Sequence, residues 1–141
     1  MILTCTQKGT LAEARVLTAL TSMGFVVSLP FGGMVSYDFI CDTGSALVKV
    51  QCKMGRLRNM AVVFNTRPSP DWNRKNSTYG EKDFDFFCVF CPETEKVYVV
   101  DRRFTGLGTC KLRLKKPKNN QAKNIKMESD FVLREKSFMR V

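Results

Sequence analysis

The sequence predicts an α/β or α+β fold, one mixed central sheet flanked by helices, and three observations predict it. One strongly periodic helical segment stands near the start, at 10–23. Two strand pairs follow, each closed by a turn-forming tetrad, "DTGS" at 42–45 and "PETE" at 92–95. A short amphipathic stretch, 127–139, closes the chain and reads as a final helix. A helix, a meander of strands and a late helical element are the plan of a mixed sheet rather than of a bundle or a sandwich.

Each element has its own warrant. In "TLAEARVLTALTSM" the apolar residues fall at 11, 14, 17 and 20, one face of a helix. Thr10 and Glu13 have capping-box spacing at its start, and Gly24 is placed to end it. "FVVSL" (25–29) reads as a strand stopped by Pro30 and "FGG". "YDFIC" (37–41) and "ALVKVQCK" (46–53) form a hairpin, "MAVVFNT" (60–66) a further strand, and "DFDFFCVFC" (83–91) with "KVYVVD" (96–101) a second hairpin. Residues 67–82 are polar, with two prolines, and read as a long loop. From Arg102 to Lys126 there are nine Lys or Arg and no Asp or Glu, which reads as a solvated or phosphate-facing surface.

The totals bound the function. A chain of 141 residues suits one domain, 1–141, with a core over about 7–104 and a basic extension over about 105–141. It is 44% hydrophobic and 26% charged, with neither a span-length apolar run nor a signal-peptide pattern, so a cytoplasmic location is expected. Without an export signal the six cysteines read as free thiols, and Cys88 and Cys91 as buried hydrophobes rather than a zinc or redox pair. The chain has no histidine, which removes Ser-His-Asp and Cys-His catalysis and His-ligated zinc. Its formal charge of +10 points to a polyphosphate partner, an anionic membrane surface being the weaker option.

One hairpin carries the chemistry. On "ALVKVQCK" Leu47, Lys49, Gln51 and Lys53 share a face, and pairing can bring Asp38 of the preceding strand beside Gln51. A carboxylate, an amide oxygen and an ammonium at one strand end suit Mg²⁺-assisted phosphodiester hydrolysis. Asp83 and Asp85, on one face of 83–91, are a reserve source of carboxylate.

Here the chain resembles the PD-(D/E)XK superfamily of restriction-endonuclease-like folds. Asp38 in "SYDFI" stands for the motif's aspartate, Gln51 in "VQCK" for its acidic position and Lys53 for its lysine. The segment "KGTLAEARVLTALTSMGFVVSLPFGG" resembles the family's helix, with Glu13 as its glutamate. The glutamine form, with "YVVDRR" and "KLRLKKPKNNQAKNIKMESDF", is similar to the branch holding group I intron homing endonucleases of cyanobacterial type. The proline that often precedes the aspartate is Tyr37 here, and the neutral amide of Gln51 binds Mg²⁺ more weakly than a glutamate.

The resemblance implies a Mg²⁺ (or Mn²⁺) endonuclease acting on double-stranded DNA as a homodimer or homotetramer. Asp38, Gln51 and Glu13 would hold the metal and Lys53 would assist the water. Arg56, Arg58, Arg67, Trp72, Arg74 and Lys75, in or near the long loop with Tyr79, are expected DNA contacts, as are Arg113, Lys115, Lys116, Lys118, Asn120 and Gln121. A Holliday-junction resolvase shares this chemistry, and Gln51 keeps open a degenerate nuclease fold that only binds DNA.

Overall fold

In the computed structural model, residues 1–68, 79–119 and 123–140 are described. One helix and eight strands follow in chain order: α1 (Cys5–Ser22), β1 (Val26–Ser28), β2 (Phe39–Asp42), β3 (Leu47–Met54), β4 (Arg56–Arg58), β5 (Ala61–Asn65), β6 (Phe86–Cys91), β7 (Lys96–Asp101) and β8 (Thr109–Arg113). The expected mixed α+β architecture is present. Five strands form a mixed sheet in the order β1-β2-β3-β6-β7, parallel only between β3 and β6, and β4-β5-β8 form a second, antiparallel sheet.

α1 begins five residues earlier than the sequence predicts. Thr4 is its N-cap, in a capping box with Gln7, while the Thr10 hydroxyl donates to the Thr6 carbonyl inside the helix. Two boxes of the same spacing compete, and nothing between Cys5 and Gly9 prevents the longer helix. Glu13 is therefore no cap. At the other end Gly24, at φ +88°, closes a Schellman turn with Phe25 N–H donating to the Leu20 carbonyl.

Alternation along the strands builds two cores. α1 lays Ala12, Val16 and Leu20 on the face carrying Phe39, Cys41, Val48, Val50, Cys52, Phe86 and Cys88. The opposite face of β6 and β7 (Phe87, Val89, Tyr98, Val100) packs on Val62, Phe64, Cys110 and Leu112 of the second sheet. β6 is thus buried on both faces, as its apolar run requires. Cys88 and Cys91 fall in different cores, and all six cysteines are free, five of them buried.

Three further expectations are corrected. Residues 127–139 are not a helix: after one 3₁₀ turn, Glu128–Asp130, the chain runs as a strap along the β7 edge, Val99 N–H donating to Phe131 O and Leu133 N–H to Val97 O. An apolar stripe there meets a sheet edge, whose open backbone groups favour extended chain. The basic run 102–126 contains β8, because Cys110 and Leu112 alternate inward between Thr109, Lys111 and Arg113. Asp83 and Asp85 precede β6 instead of lying on it; their carboxylates accept from Gly80 N–H at 2.6 Å and Lys49 N–H at 2.9 Å, so they bind backbone. Among the described residues no helix is long and apolar enough to cross a membrane.

The strap is held by a buried carboxylate. Glu128 accepts from the Tyr98 hydroxyl at 2.6 Å and from Lys96 at 3.1 Å. Burial alone would raise its pKa, but these two donors outweigh it and hold the carboxyl below its ordinary value of 4.5. A depressed folded pKa stabilises above the unfolded value, so this contribution is complete above about pH 4.5 and lost as pH falls through the folded value. We predict that Tyr98→Phe costs about 1–3 kcal/mol in thermal unfolding near neutral pH. Hydrogen exchange should show the Val99 amide losing protection, and the difference from the parent should shrink in acid.

Candidate active site

The β2–β3 hairpin sets the site. Phe39 pairs with Val50, and Asp38 stands immediately before the paired residues of β2. Asp38 N–H donates to the Val50 carbonyl at 2.8 Å, and its Oδ2 accepts from Cys52 N–H at 2.7 Å. The carboxylate is thereby fixed at the mouth of the hairpin. Gln51 and Lys53 share the sheet face turned away from α1, and all three of Asp38, Gln51 and Lys53 are half-buried.

Glu13 reaches the same point from α1, its carboxyl hydrogen-bonded to that of Asp38. Partial burial, then the Asp38 charge and the hydrogen bond to it, push Glu13 above the usual carboxylate range. Burial also raises Asp38, against the opposing pull of Cys52 N–H, Glu13 and Lys53. Two carboxyls held together in this way favour a cation between them. Their hard oxygens, with Gln51 on the neighbouring strand β3, are the type of donor that a divalent ion takes.

Lys53 is the cation of the site. Its Nζ donates to the Arg67 carbonyl at 2.5 Å and lies 5.3 Å from the centre of the Tyr79 ring. Burial lowers its pKa from 10.5 to about 8, and the Asp38 charge offsets part of that fall. Tyr79 is the residue that sequence reasoning misplaced. Expected beside the loop's DNA contacts, it packs edge-on against Phe84 and Phe87 and forms a wall of the lysine pocket. Arg102 anchors it by donating to the Tyr79 and Gly80 carbonyls. No periodicity or motif marks a lone tyrosine at the end of a polar segment, so no sequence signal could have found it.

The expected DNA contacts are scattered differently. Arg56, Arg58 and Arg113 come together on the outer face of the second sheet, whereas Arg67 meets Lys53 through its backbone. Lys115, Lys116 and Lys118 are exposed just after β8. Trp72, Arg74, Lys75, Asn120 and Gln121 lie outside the described residues.

A hairpin carrying Asp38 and a Gln-x-Lys strand, with a helix glutamate at its mouth, gathers two carboxyls and a lysine in one place. The profile of the PD-(D/E)XK endonuclease family matches residues 4–134, and the chain belongs to that family, whose members generally depend on a divalent metal. Among solved structures it is similar to a bacterial homing endonuclease, I-Ssp6803I, with a TM-score of 0.71 and 25% identity over 92% of this chain and 89% of that one. No curated protein matches it.

The lysine pocket makes a direct prediction. In an NMR titration the Lys53 Nζ should titrate near pH 8. Tyr79→Ala opens the pocket to water and should move the midpoint up toward 10.5, while Asp38→Asn removes a stabilising charge and should move it down.

Proposed function

We propose that this endonuclease is a Mg²⁺- or Mn²⁺-dependent DNA endonuclease that cuts at a specific site, in the manner of a homing endonuclease. The single observation that carries the reading is the meeting of the Glu13 carboxyl of α1 with the Asp38 carboxyl of the hairpin, beside Lys53. Asp38, Glu13 and the amide oxygen of Gln51 would hold the metal, which when bound supplies positive charge to the scissile phosphate and acidity to a water. Among the described residues no group of three or more His, Cys, Asp or Glu forms, so water and phosphate must complete the coordination.

The chain's own groups do the rest. Cys52 N–H keeps Asp38 oriented beside the Glu13 carboxyl. Lys53, with a pKa about 8, is mostly charged at neutral pH and can neutralise developing phosphate charge. A neutral fraction is also present near that pH to take a proton from the attacking water. Site specificity is supported by the likeness to a protein described as a homing endonuclease.

A duplex-binding surface is supported by strand register. Arg56, Val63 and Lys111 lie in one row across the second sheet, and Arg58, Ala61 and Arg113 in the next. Directly opposed residues share a face, so four cations stand on the outer side, and the ion pairs among the described residues involve none of them. Lys111 joins the three arginines only through this register.

Plasmid incubated with the protein, with and without Mg²⁺, tests the reading. Lys53→Ala should lower metal-dependent cutting by about 100-fold or more while a gel-shift affinity holds. Unchanged cutting by Lys53→Ala would overturn the mechanism, and tight binding without any cutting by the parent would identify a DNA-binding module. Because both carboxyls are raised, Mg²⁺ affinity should begin to fall at a pH above their ordinary 3.8 and 4.5 as protons compete for the oxygens, as calorimetry can read. Replacing Arg58 or Lys111 by Ala should lessen the salt dependence of DNA binding by about one unit of log–log slope each.

A further inference from the structure

The connection from β1 to β2 leaves the sheet at the end that carries the candidate site. Ser28, the last residue of β1, pairs with Ile40, and Asp38 is already bonded to β3, its N–H donating to the Val50 carbonyl. Residues 29–37 therefore form a loop rooted beside Asp38. Only four positions separate Met34 from Asp38, so their Cα atoms lie at most about 14 Å apart, or about four base steps of a duplex.

The tip of this loop is built to stand out. The stretch "LPFGGMVS", 29–36, holds no charged residue in a chain of net charge +10. Phe31 is 105% and Met34 91% exposed, so neither side chain rests on its own protein. Between them Gly32 and Gly33 sit at φ +86° and +65°, a turn that other residues resist. A Cβ at either glycine would meet nothing within 4 Å, so these glycines supply conformation and thinness rather than room for packing. Pro30 fixes the φ angle at the base of the turn, which limits the freedom lost on contact. The result is a narrow apolar tip, an aromatic ring on one flank and an adaptable thioether on the other.

Chemistry selects the occupant. Phosphates need cations, and the tip has none, so it does not serve the outside of a duplex. The inside of a duplex is a stack of flat, uncharged bases, into which Phe and Met side chains insert as wedges. We propose that Phe31 and Met34 form such a wedge, entering the DNA between base pairs near the scissile phosphate, opening one step and bending the backbone beside it. Flexible pyrimidine–purine steps would yield to it most easily, which adds sequence preference without a hydrogen bond to any base. The wedge deepens the nuclease reading and rests on it for its substrate.

Plasmid unwinding tests the wedge without knowledge of the target sequence. Closed circular plasmid is relaxed by a metal-independent topoisomerase in the presence of the protein, with no divalent ion, and then stripped of protein. The parent should leave the plasmid at a lower linking number, in proportion to the protein bound. The double variant Phe31→Ala, Met34→Ala should lose this shift at equal occupancy, and Phe31→Trp, which keeps a stacking ring, should retain it. Gel-shift affinity of the double variant should fall by about 10-fold with an unchanged salt slope, since no phosphate contact is removed. Both residues are exposed, so circular dichroism and melting temperature should match the parent. A parent that binds without unwinding, or a double variant that unwinds like the parent, overturns the proposal. So does a double variant whose sedimentation changes while its unwinding does not, because the tip then meets protein. A parent that cuts with Mg²⁺ yet never unwinds overturns the wedge alone. One that unwinds yet never cuts supports the wedge and overturns the nuclease mechanism.

Discussion

The pairing of Phe39 with Val50 is the constraint on which the molecule rests. That register sends Phe39, Cys41, Val48, Val50 and Cys52 into the core beneath α1 and leaves Gln51 and Lys53 on the other side. A slip of one residue would exchange the two sets, burying an ammonium under the helix and exposing five apolar side chains. Core packing and site assembly are therefore one requirement. The bond from Cys52 N–H to Asp38 Oδ2 ties them together, since a core residue's backbone orients the carboxylate.

The parallel pairing of β3 with β6 explains the second sheet. Parallel neighbours need a long crossover, and here the segment between β3 and β6 carries β4 and β5 among its described residues. Gly55 makes the departure from β3 possible: a Cβ there would stand 2.9 Å from Val89 and 3.1 Å from Val62. The crossover leaves beside Lys53 and returns beside it, with the Arg67 carbonyl on the outward path and the Tyr79 ring on the return. Both its stems form the lysine's pocket, and the pocket's dryness sets the lysine's acidity.

Charge is arranged by the same economy. Among the described residues no buried side-chain polar atom lacks a hydrogen bond. Asp101 and Asp85 hold Arg140 across the end of the sheet, and Glu128 holds Lys96, so these acids secure the C-terminal strap. Glu13 and Asp38 alone face each other, an arrangement that costs stability unless a cation is bound. A local conflict of this kind is characteristic of functional sites.

By itself the sequence determined the hairpins, the helix end at Gly24, and the grouping of Asp38, Gln51 and Lys53, because alternation and turn chemistry act over a few residues. It left α1's start open between two equal capping boxes, and it hid β8 in a basic run whose inward residues are only Cys110 and Leu112. The form of 127–139 was illegible, since an apolar stripe cannot say whether it will meet a helix face or a sheet edge. Only the tertiary structure decided that Glu13 meets Asp38, that Tyr79 walls Lys53, and that Arg56, Arg58, Lys111 and Arg113 share a face. Those contacts join residues 25 to 57 positions apart, and their geometry is fixed by how sheets and helix pack, which no local pattern encodes.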